Sequence, residues 1–188
     1  MHIILKLLFI LTIFSAPLNA QNRRVIPLDV YLIIDASESI ENSRNEVVSW
    51  LNERIVDQIL SDGDTITVWA AGDRAEIIYS ATIFGNASKN ALRSSLRSLD
   101  TNSRSADFEG ALRQVYSRVS NTAASRLSYT MLISSSVAGL EPVLSGDTRS
   151  MLRWSRSERS GRWQAFVIAP DIGPRVQRAA VEFERSRD

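Results

Sequence analysis

The stretch "IPLDVYLIID" (Ile26–Asp35) restricts the fold more than any other part of this sequence. After Asp29 it is continuously apolar up to Asp35, and it is short and rich in β-branched residues. A run of this kind reads as a strand buried on both faces, the pattern of a central strand in a parallel sheet covered by helices. It ends on a carboxylate followed by two hydroxyls at alternate positions, Asp35-x-Ser37-x-Ser39. Two readings fit that ending. One is a turn rich in capping residues that leads into a helix. The other is a small oxygen-rich pocket built to hold something.

The following segments repeat the alternation of strand and helix. Ser43-Arg44-Asn45-Glu46 has the form of a capping box. Val47, Val48, Leu51, Ile55, Val56, Ile59 and Leu60 then recur at helical spacing. "TITVWAAG" (Thr65–Gly72) reads as a second strand. "AEIIYSATIF" (Ala75–Phe84) follows too closely for a crossover helix, so it is expected to pair antiparallel with that strand. Leu92, Leu96 and Leu99 mark a helix, and Phe108, Ala111, Leu112, Val115 and Val119 mark another. "LSYTMLISSS" (Leu127–Ser136) is a buried strand that ends on hydroxyls. A shorter helix is expected around Asp147–Ser155, a last strand at Arg162–Pro170, and a final helix opened by Pro174. The expectation is an α/β fold of about five strands, mostly parallel, with one antiparallel edge strand and helices on both faces. Ligands of such sheets sit beyond the carboxyl ends of the central strands, where strand order reverses. Asp35 and Ser134–Ser136 both fall there.

The first 20 residues read differently. "MHIILKLLFILTIFSAPLNA" has an early Lys6, an apolar run from Leu7 to Phe14 and small residues before Gln21. That is the layout of a secretory leader cleaved after Ala20. The apolar run is shorter than the roughly 20 residues of a spanning helix, and no later segment is apolar enough to span. Residues 21–188 are expected to form one exported domain, periplasmic or secreted. The whole chain is 44% hydrophobic, enough for a full core.

Two absences then remove whole classes of chemistry. There is no Cys, and the only His is His2, inside the leader. Ser-His-Asp hydrolysis, Cys-His proteolysis and His- or Cys-ligated zinc are excluded for the processed chain. Carboxylate pairs and oxygen-ligated hard cations remain. The formal net charge of +1 drops to about neutral once Lys6 is gone, which argues against nucleic acid as a partner.

Asp35-x-Ser37-x-Ser39 at the end of an apolar first strand, with the element order that follows, resembles the von Willebrand factor A family. "DFEGAL" (Asp107–Leu112) is similar to that family's second motif. The resemblance covers essentially all of residues 21–188 and implies a Rossmann-like fold with a metal-ion-dependent adhesion site holding Mg²⁺ or Mn²⁺. It assigns Asp35, Ser37 and Ser39 as metal residues. The family's Thr position falls on Ala106, however, and its third-loop Asp on Ser135. A degenerate site is therefore expected, in which Ser105, Asp107, Ser134, Ser135 or Glu141 would have to complete the shell. The opposing reading keeps Asp35 as a turn-stabilising carboxylate, with Ser37 and Ser39 satisfying the loop. The family's usual last strand is also expected to be missing.

Arg149, Arg153, Trp154 and Arg156, with Arg159, Arg162 and Trp163 close by, have the composition of a protein-binding surface. The alternative is a solvated helix face with partly buried Trp. The function expected is an extracytoplasmic protein-binding module for adhesion or assembly, with weak divalent-cation dependence. The alternatives are an assembly subunit with no metal and a metal-assisted hydrolase using Asp35 and Asp107.

Overall fold

Strand β1 (Leu28–Asp35) is buried at all eight positions. Side chains alternate across a strand, so its apolar run serves two cores. Leu28, Val30, Leu32 and Ile34 face one way, into a cluster with Leu51, Ile55, Ile59, Leu92 and Leu96. Tyr31 and Ile33 face the other way, onto Trp69, Phe108, Leu112 and Val115. A computed structural model describes residues 26–121, 125–135, 140, 143 and 163–168.

The other strands are β2 (Thr65–Ala71), β3 (Ala75–Thr82), β4 (Leu127–Ile133) and β5 (Trp163–Ile168). The five-stranded sheet has the order β3-β2-β1-β4-β5. β1 pairs in parallel with β2 and β4, and β4 with β5. β2 and β3 pair antiparallel, with a register shift between Val68 and Trp69. The mostly parallel α/β sheet and the antiparallel edge strand expected from the sequence are both present.

The helices are α1 (Arg44–Trp50), α2 (Gly85–Arg97) and α3 (Phe108–Ser120). α1 is flanked by a 3₁₀ turn (Glu38–Ser43) and by a π-helical continuation (Leu51–Ile59). The expected capping box at Ser43 does not form. Ser43 makes no side-chain cap, and its hydroxyl donates to the Ile40 carbonyl at 3.2 Å. The chain is already helical from Glu38, so the first amides of α1 find acceptors in the preceding turn; the Arg44 N–H donates to the Glu41 carbonyl.

The opposite end of the sheet is tied by a polar clamp. Asp29, 5% exposed, accepts from Thr65 Oγ1 at 2.5 Å and from Arg126 Nε at 2.6 Å. Arg126 also reaches the carbonyls of Leu28 at 2.8 Å and Gly63 at 3.2 Å. Asp64 reads from sequence as an ordinary turn residue. It is in fact buried, and it accepts from Leu28 N at 2.8 Å and Ser61 N at 2.7 Å.

Candidate functional site

Asp35 ends β1 at the switch point, with β2 on one side and β4 on the other. It is 1% exposed and lies under the loop that follows. A buried carboxylate needs partners, and Asp35 has four donors. Oδ1 accepts from the Ser37 amide at 2.9 Å and the Ser37 hydroxyl at 2.6 Å. Oδ2 accepts from Ser134 Oγ at 2.9 Å and, at the longer distance of 3.3 Å, from Ser39 Oγ. Ser37 and Ser39 Oγ are 2.8 Å apart, and Ser135 Oγ donates to Ser39 Oγ at 3.1 Å. Ser37 and Ser134 are buried, Ser135 is half-buried and Ser39 is exposed. The structure thus gathers Asp35, Ser37, Ser39, Ser134 and Ser135 into one cluster.

It does not gather Ser105 or Asp107, which were expected as additional ligands. Asp107 is the N-cap of α3: Oδ1 accepts from Gly110 N at 2.8 Å. Its Oδ2 accepts from Ala75 N at 3.2 Å. Gly110 suits this arrangement, because a Cβ there would collide with the Asp107 carboxylate. Ser105 turns to Asp73, whose Oδ1 takes its amide at 3.2 Å and its hydroxyl at 3.0 Å. Ala106, at the position of the family Thr, packs against the core under α3.

The loop residue that does reach the cluster is Ser103, which no sequence pattern singled out. It forms a parallel bridge with Ser37. The Glu38 amide donates to the Ser103 carbonyl at 2.9 Å, and the Ser103 amide to the Ala36 carbonyl at 3.3 Å. Gly72 permits this approach, since a Cβ there would meet the Ser103 hydroxyl. Thr101, also buried, donates to Glu41.

Does this donor set fit a hard divalent cation? Spacing alone does not decide. Oxygens adjacent around Mg²⁺ at about 2.0–2.1 Å stand about 2.9 Å apart, which is also a hydrogen-bond length. Charge and free lone pairs decide. Among the described residues Asp35 is the cluster's only carboxylate, and both of its oxygens are already shared among four donors. Among the described residues no three His, Cys, Asp or Glu side chains form a group that could hold a metal. Neutral hydroxyls do not offset the cost of dehydrating Mg²⁺. The described residues do not fit a resident divalent cation.

Arg149, Arg153, Trp154 and Arg156, and Glu141, lie outside the described residues, as does the leader expected over 1–20. Trp163, grouped with that segment in sequence, belongs to the core. It is 1% exposed, and its Nε1 donates to Thr130 Oγ1 at 2.8 Å. No helix among the described residues is long and apolar enough to cross a membrane.

A von Willebrand factor type A domain model matches residues 30–137. An uncharacterised protein of Treponema pallidum (strain Nichols) is 23% identical over 172 residues, which are 87% of this chain and 77% of that protein. Among solved structures, a von Willebrand factor type A protein from Catenulispora acidiphila superposes with a TM-score of 0.53 at 18% identity, over 76% of this chain and 33% of its own. Proximal thread matrix protein 1 from the mussel byssus, solved with a zinc-occupied MIDAS motif, gives a TM-score of 0.57 at 12% identity, over 77% of this chain and 38% of its own. The pilus adhesin SpaC from Lactobacillus rhamnosus GG gives 0.50 at 15%, over 60% of this chain and 15% of its own. This chain therefore spans well under half the length of these structures, and at such identities the likeness is one of fold.

Proposed function

Because this chain belongs to the von Willebrand factor type A domain family, we propose that it is an extracytoplasmic protein-binding module, used in adhesion or assembly, that meets its partner at the carboxyl ends of β1 and β4. One observation carries this reading: exposed Ser39 and half-buried Ser135 are joined directly above buried Asp35 at the switch point of the sheet. Polar groups held on loops by a rigid sheet are the usual form of a recognition site in such folds. Similar folds in a pilus adhesin and a byssal matrix protein agree with an adhesive or assembly role. Export rests on the charged start and apolar run of residues 1–20.

The hydrolase alternative depended on Asp35 and Asp107 acting as a pair. Asp107 is engaged in capping α3, so that reading loses its second carboxylate. The assembly-subunit alternative differs from the main reading only in the permanence of the contact.

A photo-crosslinking residue at exposed Glu38, compared with one at exposed Ser125 just before β4, tests the proposal in the exporting cell. A discrete adduct from Glu38 and none from Ser125 is the expected result. Equal adducts from both ends, or none, would count against a binding rim here. Mass spectrometry of the exported protein checks the leader. It should begin at Gln21, and soluble exported protein that retains Met1 is incompatible with cleavage.

A further inference from the structure

We infer that the rim binds without a cation and recognises a hydrogen-bond donor on its partner, the reverse of the carboxylate that a metal would select. The inference rests on the binding-module reading above and comes from following the hydroxyl protons. Ser37 has one hydroxyl proton, and its 2.6 Å contact with Asp35 Oδ1 uses it. In the 2.8 Å pair with Ser39, Ser37 is therefore the acceptor and Ser39 the donor. The Ser39 proton is then shared between Ser37 at 2.8 Å and the more distant Asp35 Oδ2 at 3.3 Å. Ser135 donates in turn to Ser39 at 3.1 Å. The chain runs one way, from Ser135 through Ser39 and Ser37 to the carboxylate, and each link strengthens the next. Ser134 closes the other oxygen from beneath.

This polarity has two consequences. The charge of Asp35 is already met by donors, as a buried carboxylate requires. The outer end of the chain is the Ser135 oxygen, whose proton points inward, so it offers lone pairs outward. A carboxylate, itself only an acceptor, finds no proton to accept from the Ser135 hydroxyl and meets the field of Asp35. An amide, hydroxyl, ammonium or guanidinium group on a partner completes the chain.

Two measurements test this on the processed chain. Thermal unfolding in EDTA, Mg²⁺ and Mn²⁺ should give one Tm. A Tm that rises with millimolar Mg²⁺ in the wild type but not in Ser39→Ala overturns the cation-free site. NMR titration then uses small probes read at the Ser39 and Ser135 amides in EDTA. Methylguanidinium should give saturable shifts. Tetramethylammonium, which carries the same charge with no donor, should not. Ser135→Ala, which leaves the Ser39–Ser37–Asp35 links in place, should abolish the methylguanidinium response. Acetate shifts that appear only with Mg²⁺, no response to methylguanidinium, or equal responses to both cations would each overturn the inference. Crosslinking from Glu38 stands apart from these results. A rim that captures its partner only in Mg²⁺ sinks the inference and leaves the binding module intact.

Discussion

Ser134 Oγ, with no exposed surface, donates a 2.9 Å hydrogen bond to Asp35 Oδ2 across 99 residues of sequence. The bond joins the carboxyl ends of two adjacent parallel strands, β1 and β4. It fixes the two loops that form the rim relative to each other, so the site and the local stability of the sheet share one carboxylate.

Removing either partner should therefore weaken the fold as well as the site. Ser134→Ala takes one donor from a carboxylate that keeps three others, and is expected to cost about 1–2 kcal/mol. Asp35→Ala strands the buried hydroxyls of Ser37 and Ser134 and the Ser37 amide, and should cost about 3 kcal/mol. Urea unfolding measures both, and the midpoints should move at constant slope. A larger loss for Ser134→Ala than for Asp35→Ala would contradict this account of the cluster.

Asp107 gives a cleaner separation of roles. If it caps α3, Asp107→Ala should cost about 1 kcal/mol, while Asp107→Asn, which keeps an acceptor for Gly110 N, should lose only a few tenths. The response of the protein to divalent cations should be the same in both variants. A change in that response would restore Asp107 as a ligand.

The chain has no Cys and its only His is His2, so with the proposed leader removed none of the serines around Asp35 has an imidazole to take its proton. A fluorophosphonate probe should label no serine stoichiometrically. Specific labelling of Ser37 or Ser39 would reopen the enzyme reading.

How far the sequence shows this structure differs between fold and site. The apolar run of β1 reveals both cores, because burial on two faces leaves no polar alternation. The α2 and α3 stripes show which faces pack. Three features are hidden for physical reasons. The helix after β1 starts early, since Glu38–Ser43 is a 3₁₀ turn whose capping residues look like a later helix start. Ser103 reaches Ser37 through backbone atoms, which any residue carries. Asp64 stands among other turn residues, and only the fold shows that its carboxylate receives the first amide of β1. In the site, the motif Asp35-x-Ser37-x-Ser39 is legible, but the direction of each hydroxyl proton depends on distances that only the folded chain sets.

The clamp at the far end of the sheet makes its own prediction. Arg126→Met leaves Asp29 buried beside Thr65 with its ion pair gone, and should cost about 3 kcal/mol. Adding Asp29→Leu to that variant removes the stranded charge, and should recover much of the loss. A double mutant less stable than Arg126→Met alone would show that the charge was never the source of the cost.

The last prediction concerns what separates this rim from a metal site. Ser135 occupies the third-loop position, with its hydroxyl 3.1 Å from Ser39 Oγ. Ser135→Asp puts a second carboxylate there, one whose oxygens are not already shared among four donors as those of Asp35 are. Combined with Ala106→Thr, which returns a hydroxyl to the second loop, it supplies the charge and free lone pairs that a hard cation needs. Calorimetry should find no measurable Mg²⁺ or Mn²⁺ binding in the wild type and clear binding in the double variant, with Ser135→Asp alone between them. The variant's Tm should rise with Mg²⁺, because a ligand bound only by the folded state stabilises it. The bound cation should also reverse the rim's preference, so that in Mg²⁺ acetate shifts the Ser39 amide and methylguanidinium no longer does. Wild type that already binds Mg²⁺ at micromolar levels, with no gain in the double variant, would mean that some group other than Ser135 and Ala106 completes the shell.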